Sequence, residues 1–331
     1  MTSAEPTATA GLAPFRIEPR FVNRVWGYRD LRPWYDRTAE EGDPIGEVWL
    51  TGDDCLISTG PLAGQKLGGL FNRSPETMLG VHAAESDSPL LVKMIFAREK
   101  LSVQVHPDDR LAQKYGEPRG KTECWYAIAA EPGAQVAAGL RPGVTLQQVR
   151  DGIQNGTLEE SLNVLPVEAG DMVFVDAGTV HAIWPGSVLL ETQQNCDLTY
   201  RMYDYGRPRE LHIEKSIEAT RLTTRAGKVA PRALADRTIL VEEDYFCVER
   251  IPVSGSRMSS SLPGAAEPAQ GLSYLFAAAG EGAIVGADFY PIDLPTRGIV
   301  AVPAISPSFI VRDQGGLDLI RISPRWPVSR G

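Results

Sequence analysis

Short runs rich in Val, Ile, Leu and aromatic residues recur along the chain: LLVKMIF at 90–96, LSVQVH at 101–106, DMVFVDA at 171–177, SVLLET at 187–192, RGIVAVPA at 297–304 and DLIRIS at 318–323. Several alternate apolar and polar positions with a period of two, the signature of a strand with one face turned inward. Twenty-five prolines and thirty-two glycines separate the runs, which favours many short strands joined by turns over alternating strand and helix. Helical spacing is confined to SPETMLGVHA near 75, RLAQKYG near 112, TLQQVRDGI and TLEESLNVL between 145 and 165, and RELHIEKSIEATRL near 212. Ser74, Thr145 and Thr157 are placed as N-caps, and Thr145 and Thr157 have Gln148 and Glu160 three residues on, a capping-box pattern.

The predicted fold is therefore mainly β with a helical insertion in the first half. A basic, proline-containing stretch, TTRAGKVAPRALADR, separates the helical pattern near 212 from a second series of strands beginning at about Thr238, and the domain boundary is placed there. The expected organisation is a flexible tail over 1–15, a first domain over 16–225 and a second over 236–326. At 331 residues the chain is long enough for two cores.

Composition narrows the function classes. The net charge of −9 disfavours nonspecific nucleic-acid binding, which depends on clustered Lys and Arg. No apolar stretch approaches the roughly 20 residues that cross a bilayer, so no membrane partner is expected. The start lacks a basic n-region followed by an apolar core, and Cys55, Cys124, Cys196 and Cys247 are far apart with no CxxC pair. Reduced thiols and a cytoplasmic location are the corresponding expectations.

Four histidines, His82, His106, His181 and His212, can be weighed one by one. Alternation in LSVQVH puts Ser102, Gln104 and His106 on one face and Leu101, Val103 and Val105 on the other. In GDMVFVDAGTVHAI, a strand runs into the turn Asp176-Ala177-Gly178 and aims His181 back across the fold. In GKTECWYAI, Lys121 and Glu123 share a face, with Cys124 opposite. Gln104, His106, Glu123 and His181 together form a metal site of two imidazoles, one carboxylate and one amide oxygen. Zinc takes nitrogen and carboxylate ligands where a position stays open for substrate, and the lack of cysteine ligands points to a catalytic site. His82 and His212 are read as surface or helix residues, Cys124 and Cys196 as packing, and Trp26, Trp49 and Trp125 as core residues.

The ligand spacing resembles the cupin pattern, and four ordered blocks narrow the likeness: LLVKMIFAREKLSVQVHPDD, GKTECWYAI, AGTVHAI and LLETQQNCDLTYRMYDYGRPRELH. Together with VWG at 25–27 and GEVW at 46–49, they are similar to type I phosphomannose isomerases of the short bacterial form over about residues 16–225. This resemblance implies two cupin-type jelly-roll β-barrels and interconversion of mannose 6-phosphate and fructose 6-phosphate through a cis-enediol with zinc. It implies Gln104, His106, Glu123 and His181 as metal ligands, Lys121 and Arg201 facing the substrate, Ser102 and Glu191 near them, and Glu47 lining the pocket. The sequence departs from the family at Asp176, where proline is common, and in YDYGRPRELH, where Pro208 leaves open whether Arg207 or Arg209 meets the phosphate.

Isomerisation requires a base, a proton shuttle and stabilisation of a developing oxyanion. Arg201 suits the last role, Lys121 and Glu191 are the base or shuttle candidates beside a metal-bound water, and the sequence does not rank them. The expected partner is a small-molecule sugar phosphate, the chain being a monomer or homodimer. A non-catalytic phosphosugar sensor is the alternative; an iron-dependent dioxygenase would leave Gln104 unexplained. The second half holds no histidine, so it is expected to be a degenerate, metal-free barrel, with Ile305 and Ser306 where a ligand would otherwise stand.

Overall fold

A computed structural model describes residues 11–85, 87–258 and 271–327. Residues 1–10 of the flexible tail expected over 1–15 lie outside the described residues; Leu12 and Phe15 are not part of a free tail, since the first bonds Ile305 and the second is buried in a strand. Among the described residues the structure is mainly β, built from four antiparallel sheets. In the first half, a seven-stranded sheet runs in the order Gly227–Val229, Met172–Val175, Glu123–Ala130, Ser187–Gln194, Leu90–Phe96, Ile45–Trp49, Arg20–Tyr28. A five-stranded sheet faces it, ordered Tyr200–Tyr203, Val103–Val105, His181–Ile183, Gln135–Leu140, Leu162–Pro166. In the second half, a seven-stranded sheet includes Ile299–Val302, Ser273–Ala279, Asp318–Pro324 and Phe246–Pro252, and a four-stranded sheet is built around Phe309–Asp313 and Gly282–Gly286.

The two large sheets pack against each other. Val92, Met94, Phe96, Cys124, Tyr126, Phe174 and Leu190 meet Phe246, Val248, Tyr274, Phe276, Ile299 and Ile320 in one core. Alternate residues of the same first-half strands, Ile95, Trp125, Ala127, Val173 and Leu189, turn the other way and meet Val136, Ala138 and Ile183 of the five-stranded sheet. A strand buried on both faces has no need of polar alternation, which explains the continuous run LLVKMIF. In the second half, Leu275, Ala277, Val300 and Leu319 pack on Ile284, Leu294 and Val311 of the smaller sheet.

The α-helices of the described residues all lie between residues 67 and 219. Leu146–Asn155 and Ile213–Ala219 cover the outer face of the five-stranded sheet, where Val149, Ile153 and Ile217 pack on Val103, Val105 and Ala182. The capping box at Thr145 is formed in full: its hydroxyl accepts from Gln148 N–H, and the Gln148 side chain accepts from Thr145 N–H. Thr157 precedes only a single 3-10 turn, Leu158–Ser161, and makes no side-chain cap, because that turn is too short to present the free N–H groups of an α-helix. Ser74 likewise makes none. No helix among the described residues is long and apolar enough to cross a membrane.

One strand crosses between the halves. Phe15–Ile17 pairs with Ile299–Val302 at the edge of the second large sheet, and Leu12 N–H donates to the Ile305 carbonyl. Phe276 is fully buried where the large sheets meet. Phe276→Ala should destabilise the protein by about 3–5 kcal/mol, the usual cost of an aromatic-sized cavity, measured by denaturant unfolding.

Candidate active site

Strand register brings distant segments of the sequence together. Gln104 sits in the strand Val103–Val105 between two neighbours, directly opposite His181 on one side and Arg201 on the other. Val103 and Val105 point to the helical layer, which leaves Ser102, Gln104 and His106 on the inner face. Glu123 opens the strand Glu123–Ala130, with Glu123 and Trp125 facing inward while Cys124 and Tyr126 enter the core between the halves. Gly178 brings the chain back to His181. It takes φ of +89°, a left-handed conformation that favours glycine, and its N–H donates to the His106 carbonyl at 2.8 Å. Asp176, where proline was the family's usual residue, fastens this turn with its side chain, which accepts from Thr179 Oγ1 at 2.9 Å and from Arg225 N–H at 3.2 Å.

His106, Glu123 and His181 each present a ligand atom within 4.8 Å of the others, and all three are buried. Each imidazole donates Nδ1–H to a backbone carbonyl, His106 to Leu198 at 2.8 Å and His181 to Thr179 at 2.9 Å. These bonds fix the tautomer and leave both Nε2 atoms as acceptors, 3.5 and 3.4 Å from the Glu123 carboxylate oxygens. Burial holds both rings neutral, His106 well below the usual range and His181 at about 4; the Lys121 charge acts in the same direction on each. Burial, reinforced by the Glu191 charge, raises Glu123 to about 7 against the opposing pull of Lys121.

The chemistry of this group suits a divalent ion. Two neutral imidazoles flank a carboxylate that is 1% exposed and is ion-paired to the Lys121 ammonium, so nitrogen and oxygen donor atoms converge where a divalent ion could be held. Gln104 lies beside the group and turns its amide nitrogen toward it, 3.2 Å from His181 Nε2 and 3.5 Å from His106 Nε2. Its amide oxygen accepts from Ser102 Oγ at 3.1 Å, and that oxygen is the atom a metal would use. Lys121 completes the cluster, with Nζ 2.9 Å from His106 Nε2 and 2.8 Å from Glu123 Oε2.

Glu123, His181, Gln104 and Lys121 border a cavity of about 560 Å³, a volume suited to a small ligand. Glu47, Glu191, Ser102, Arg201 and Arg209 line it as well, together with Trp26 and Trp125. Glu191 is fixed from two sides, by Lys93 Nζ at 2.8 Å and by Trp125 Nε1, which donates at 3.0 Å. Burial alone would raise its pKa, but the Lys93 charge and then the Lys121 charge outweigh burial and bring it to about 2. Glu47 is held by Arg24 at 3.1 and 2.9 Å and by Trp49 Nε1 at 2.8 Å. Arg201 donates through Nη1 to the Glu210 carbonyl at 2.8 Å, while its buried Nε has no partner.

The two arginines flanking Pro208 part company. Asp204 grips Arg209 with both carboxylate oxygens, at 2.7 and 2.6 Å, and Arg209 reaches the cavity. Arg207 bonds the same carboxylate at 3.2 Å but also reaches Glu99 and the Lys100 carbonyl, and it is not among the residues lining the cavity. His212 lies just before the helix Ile213–Ala219, where its Nδ1 accepts from Arg201 N–H at 3.2 Å. His82 stacks on Trp326, with ring centroids 3.8 Å apart.

Comparison with known proteins supplies the family. Residues 15–137 match the profile of the phosphomannose isomerase type I catalytic domain. A mannose-6-phosphate isomerase of Streptococcus mutans is 35% identical over 267 residues, covering 76% of this chain and 82% of that protein. The chain belongs to the type I phosphomannose isomerase family. The mannose-6-phosphate isomerase ManA of Bacillus subtilis is 35% identical over 260 residues, covering 73% of this chain and 80% of the relative. A crystal structure of the Bacillus subtilis mannose 6-phosphate isomerase superposes with a TM-score of 0.82 at 28% identity, covering 94% of this chain and 99% of that one. At 16% identity, a phosphomannose isomerase from Salmonella typhimurium, a mutant form, shares the fold with a TM-score of 0.75. The phosphomannose isomerase fold thus extends over both halves of the chain.

Sequence reading passed over Lys93, Arg24 and Asp197, the last a cavity-lining carboxylate 3.8 Å from Arg24 and 3.9 Å from Lys93. Lys93 is a buried ammonium between Glu191 and Glu47, and the signal for it was a single charge at the centre of an apolar run. Lys93→Met should cost about 3–5 kcal/mol in denaturant unfolding at neutral pH, because it leaves a buried carboxylate without its partner. Pairing that change with Glu191→Leu should recover most of the loss. The folded-state pKa of Glu191 lies below the ordinary 4.5, so its contribution is present above about pH 4.5 and is lost as the pH falls through about 2.

Proposed function

We propose that the chain interconverts mannose 6-phosphate and fructose 6-phosphate, with zinc held by Gln104, His106, Glu123 and His181. The buried His106–Glu123–His181 cluster bordering the cavity carries this reading, and the activity named for the Streptococcus mutans and Bacillus subtilis relatives supports it. The donor set is nitrogen and oxygen without sulfur, consistent with a zinc site that keeps a position open. Each half is read as a cupin-type barrel: a catalytic one over 16–225, and a metal-free one over 236–326, since no histidine follows His212.

When bound, zinc would polarise the sugar oxygens near C1 and C2. Proton transfer between those carbons falls to the protein. Glu191 is a weak base because Lys93 and Trp125 stabilise its charged form; its role is to orient Lys93 and fix the negative charge of the wall. Lys121, beside His106 and Glu123, is then the side chain that carries the proton. Arg201 keeps a permanent charge and an unpartnered Nε for the oxyanion that develops in the enediol step. Ser102 holds the Gln104 amide, and Glu47, immobilised by Arg24, shapes the opposite wall. Arg209 supplies the cationic contact for the substrate phosphate, while Arg207 secures the segment that presents it.

Zinc content and mannose 6-phosphate turnover measured together test this assignment. His181→Ala should lose bound zinc and activity in parallel. Arg201→Ala should keep its zinc and lose turnover by about 10²–10³-fold, the usual effect of removing one oxyanion-stabilising donor. Isomerase activity persisting in zinc-free His181→Ala would overturn the metal assignment.

A further inference from the structure

One carboxylate next to the metal cluster has no part in the chemistry above, yet it gathers three hydrogen bonds. Asp109, three residues after His106, accepts at Oδ1 from Gly120 N–H at 2.7 Å and from Gln194 Nε2 at 2.9 Å. At Oδ2 it accepts from the Tyr245 hydroxyl at 2.6 Å. Each donor leads somewhere specific. Gly120 immediately precedes Lys121. Gln194 turns its amide oxygen to accept Thr122 N–H at 2.9 Å, and its backbone N–H donates to the Thr122 carbonyl at 3.1 Å. Tyr245 belongs to the second half, and the next residue, Phe246, is in the core between the two large sheets.

The segment so held is the one that delivers Lys121 and Glu123. Lys121 N–H donates to the Pro107 carbonyl at 3.0 Å, so residues 120–122 are tied on both sides to the stretch following His106. Contact there is backbone to backbone: a Cβ on Gly120 would lie 2.5 Å from the Asp108 carbonyl carbon and 2.6 Å from Asp109 N. Groups that orient metal ligands and catalytic side chains without touching substrate typically affect metal affinity or activity by about 10–100-fold.

We propose that Asp109 and Tyr245 are positioning residues, through which the second half braces the Gly120–Glu123 segment and fixes Lys121 and Glu123 against His106. The kinetic part of this inference rests on the isomerase reading; the metal-retention part does not. A carboxylate serving only to start the helix Asp109–Lys114 would have no use for the Tyr245 hydroxyl and would register in thermal stability alone.

Steady-state kinetics, zinc retention against a chelator and thermal unfolding, measured on the full chain, test the brace. Asp109→Ala should lower kcat by about 10–100-fold with little change in KM, and should release zinc correspondingly faster. Tyr245→Phe, which removes one hydroxyl at a half-buried position, should shift both quantities in the same direction by several-fold, and it decides the matter if Asp109→Ala does not fold. Asp109→Asn should recover much of the loss, because its amide oxygen can accept from Gly120 and Gln194 while its nitrogen donates to Tyr245 Oη. Wild-type kcat and zinc retention in both Asp109→Ala and Tyr245→Phe, whatever their melting temperatures, would overturn the proposal. If the wild-type protein itself does not turn over mannose 6-phosphate, the isomerase reading fails, and zinc retention alone judges the brace.

Discussion

Charged side chains that face the interior of a sheet covered on both sides must find partners there, because solvent is not available to stabilise them. Lys93, Glu123 and Glu191 are in this position, on three adjacent strands of the first large sheet. Register supplies the answer for two of them: Glu191 lies directly across from Lys93 on one side and from Trp125 on the other, and it bonds to both. Glu123 is ion-paired to the Lys121 ammonium at 2.8 Å, with two neutral imidazoles beside it. The convergence of nitrogen and oxygen donors on this buried carboxylate organises the site and forms a group that could hold a divalent cation.

The same sheet explains why the site is rigid. Every second residue of its central strands is locked into the core between the halves, so the residues in between cannot shift without disturbing a close-packed interior. Lys121 escapes this constraint because it precedes the strand Glu123–Ala130 and depends on hydrogen bonds for its placement. Preorganisation of a charged site is worth more in a dry interior than in water, and here it comes from two sources: strand packing for Glu191 and Glu123, and a local polar network for Lys121.

The shared face of several site residues was legible in the sequence because it follows from local periodicity. Alternation alone put Ser102, Gln104 and His106 on one face, and the glycine before His181 marked a turn that the structure realises with a positive φ. The Thr145 capping box was equally local. Lys93 was not legible, since one lysine among apolar neighbours reads as a strand residue until the facing strand is known. Pro208 left Arg207 and Arg209 equivalent in sequence; Asp204 bonds both, and it is Glu99 and the Lys100 carbonyl, brought close only by folding, that draw Arg207 away. Pairings such as Arg24 with Glu47 and Tyr245 with Asp109 span too much chain to leave a pattern that a sequence window can register.

The strand Phe15–Ile17 carries a kinetic consequence. Its ladder with Ile299–Val302 joins segments that most of the described residues separate, so the edge of the second sheet forms only when one of the longest loops in the fold has closed. Until then Phe15 and Ile17, both fully interior in the finished molecule, lack their cover, and this pairing is slow beside the local closure of hairpin strands.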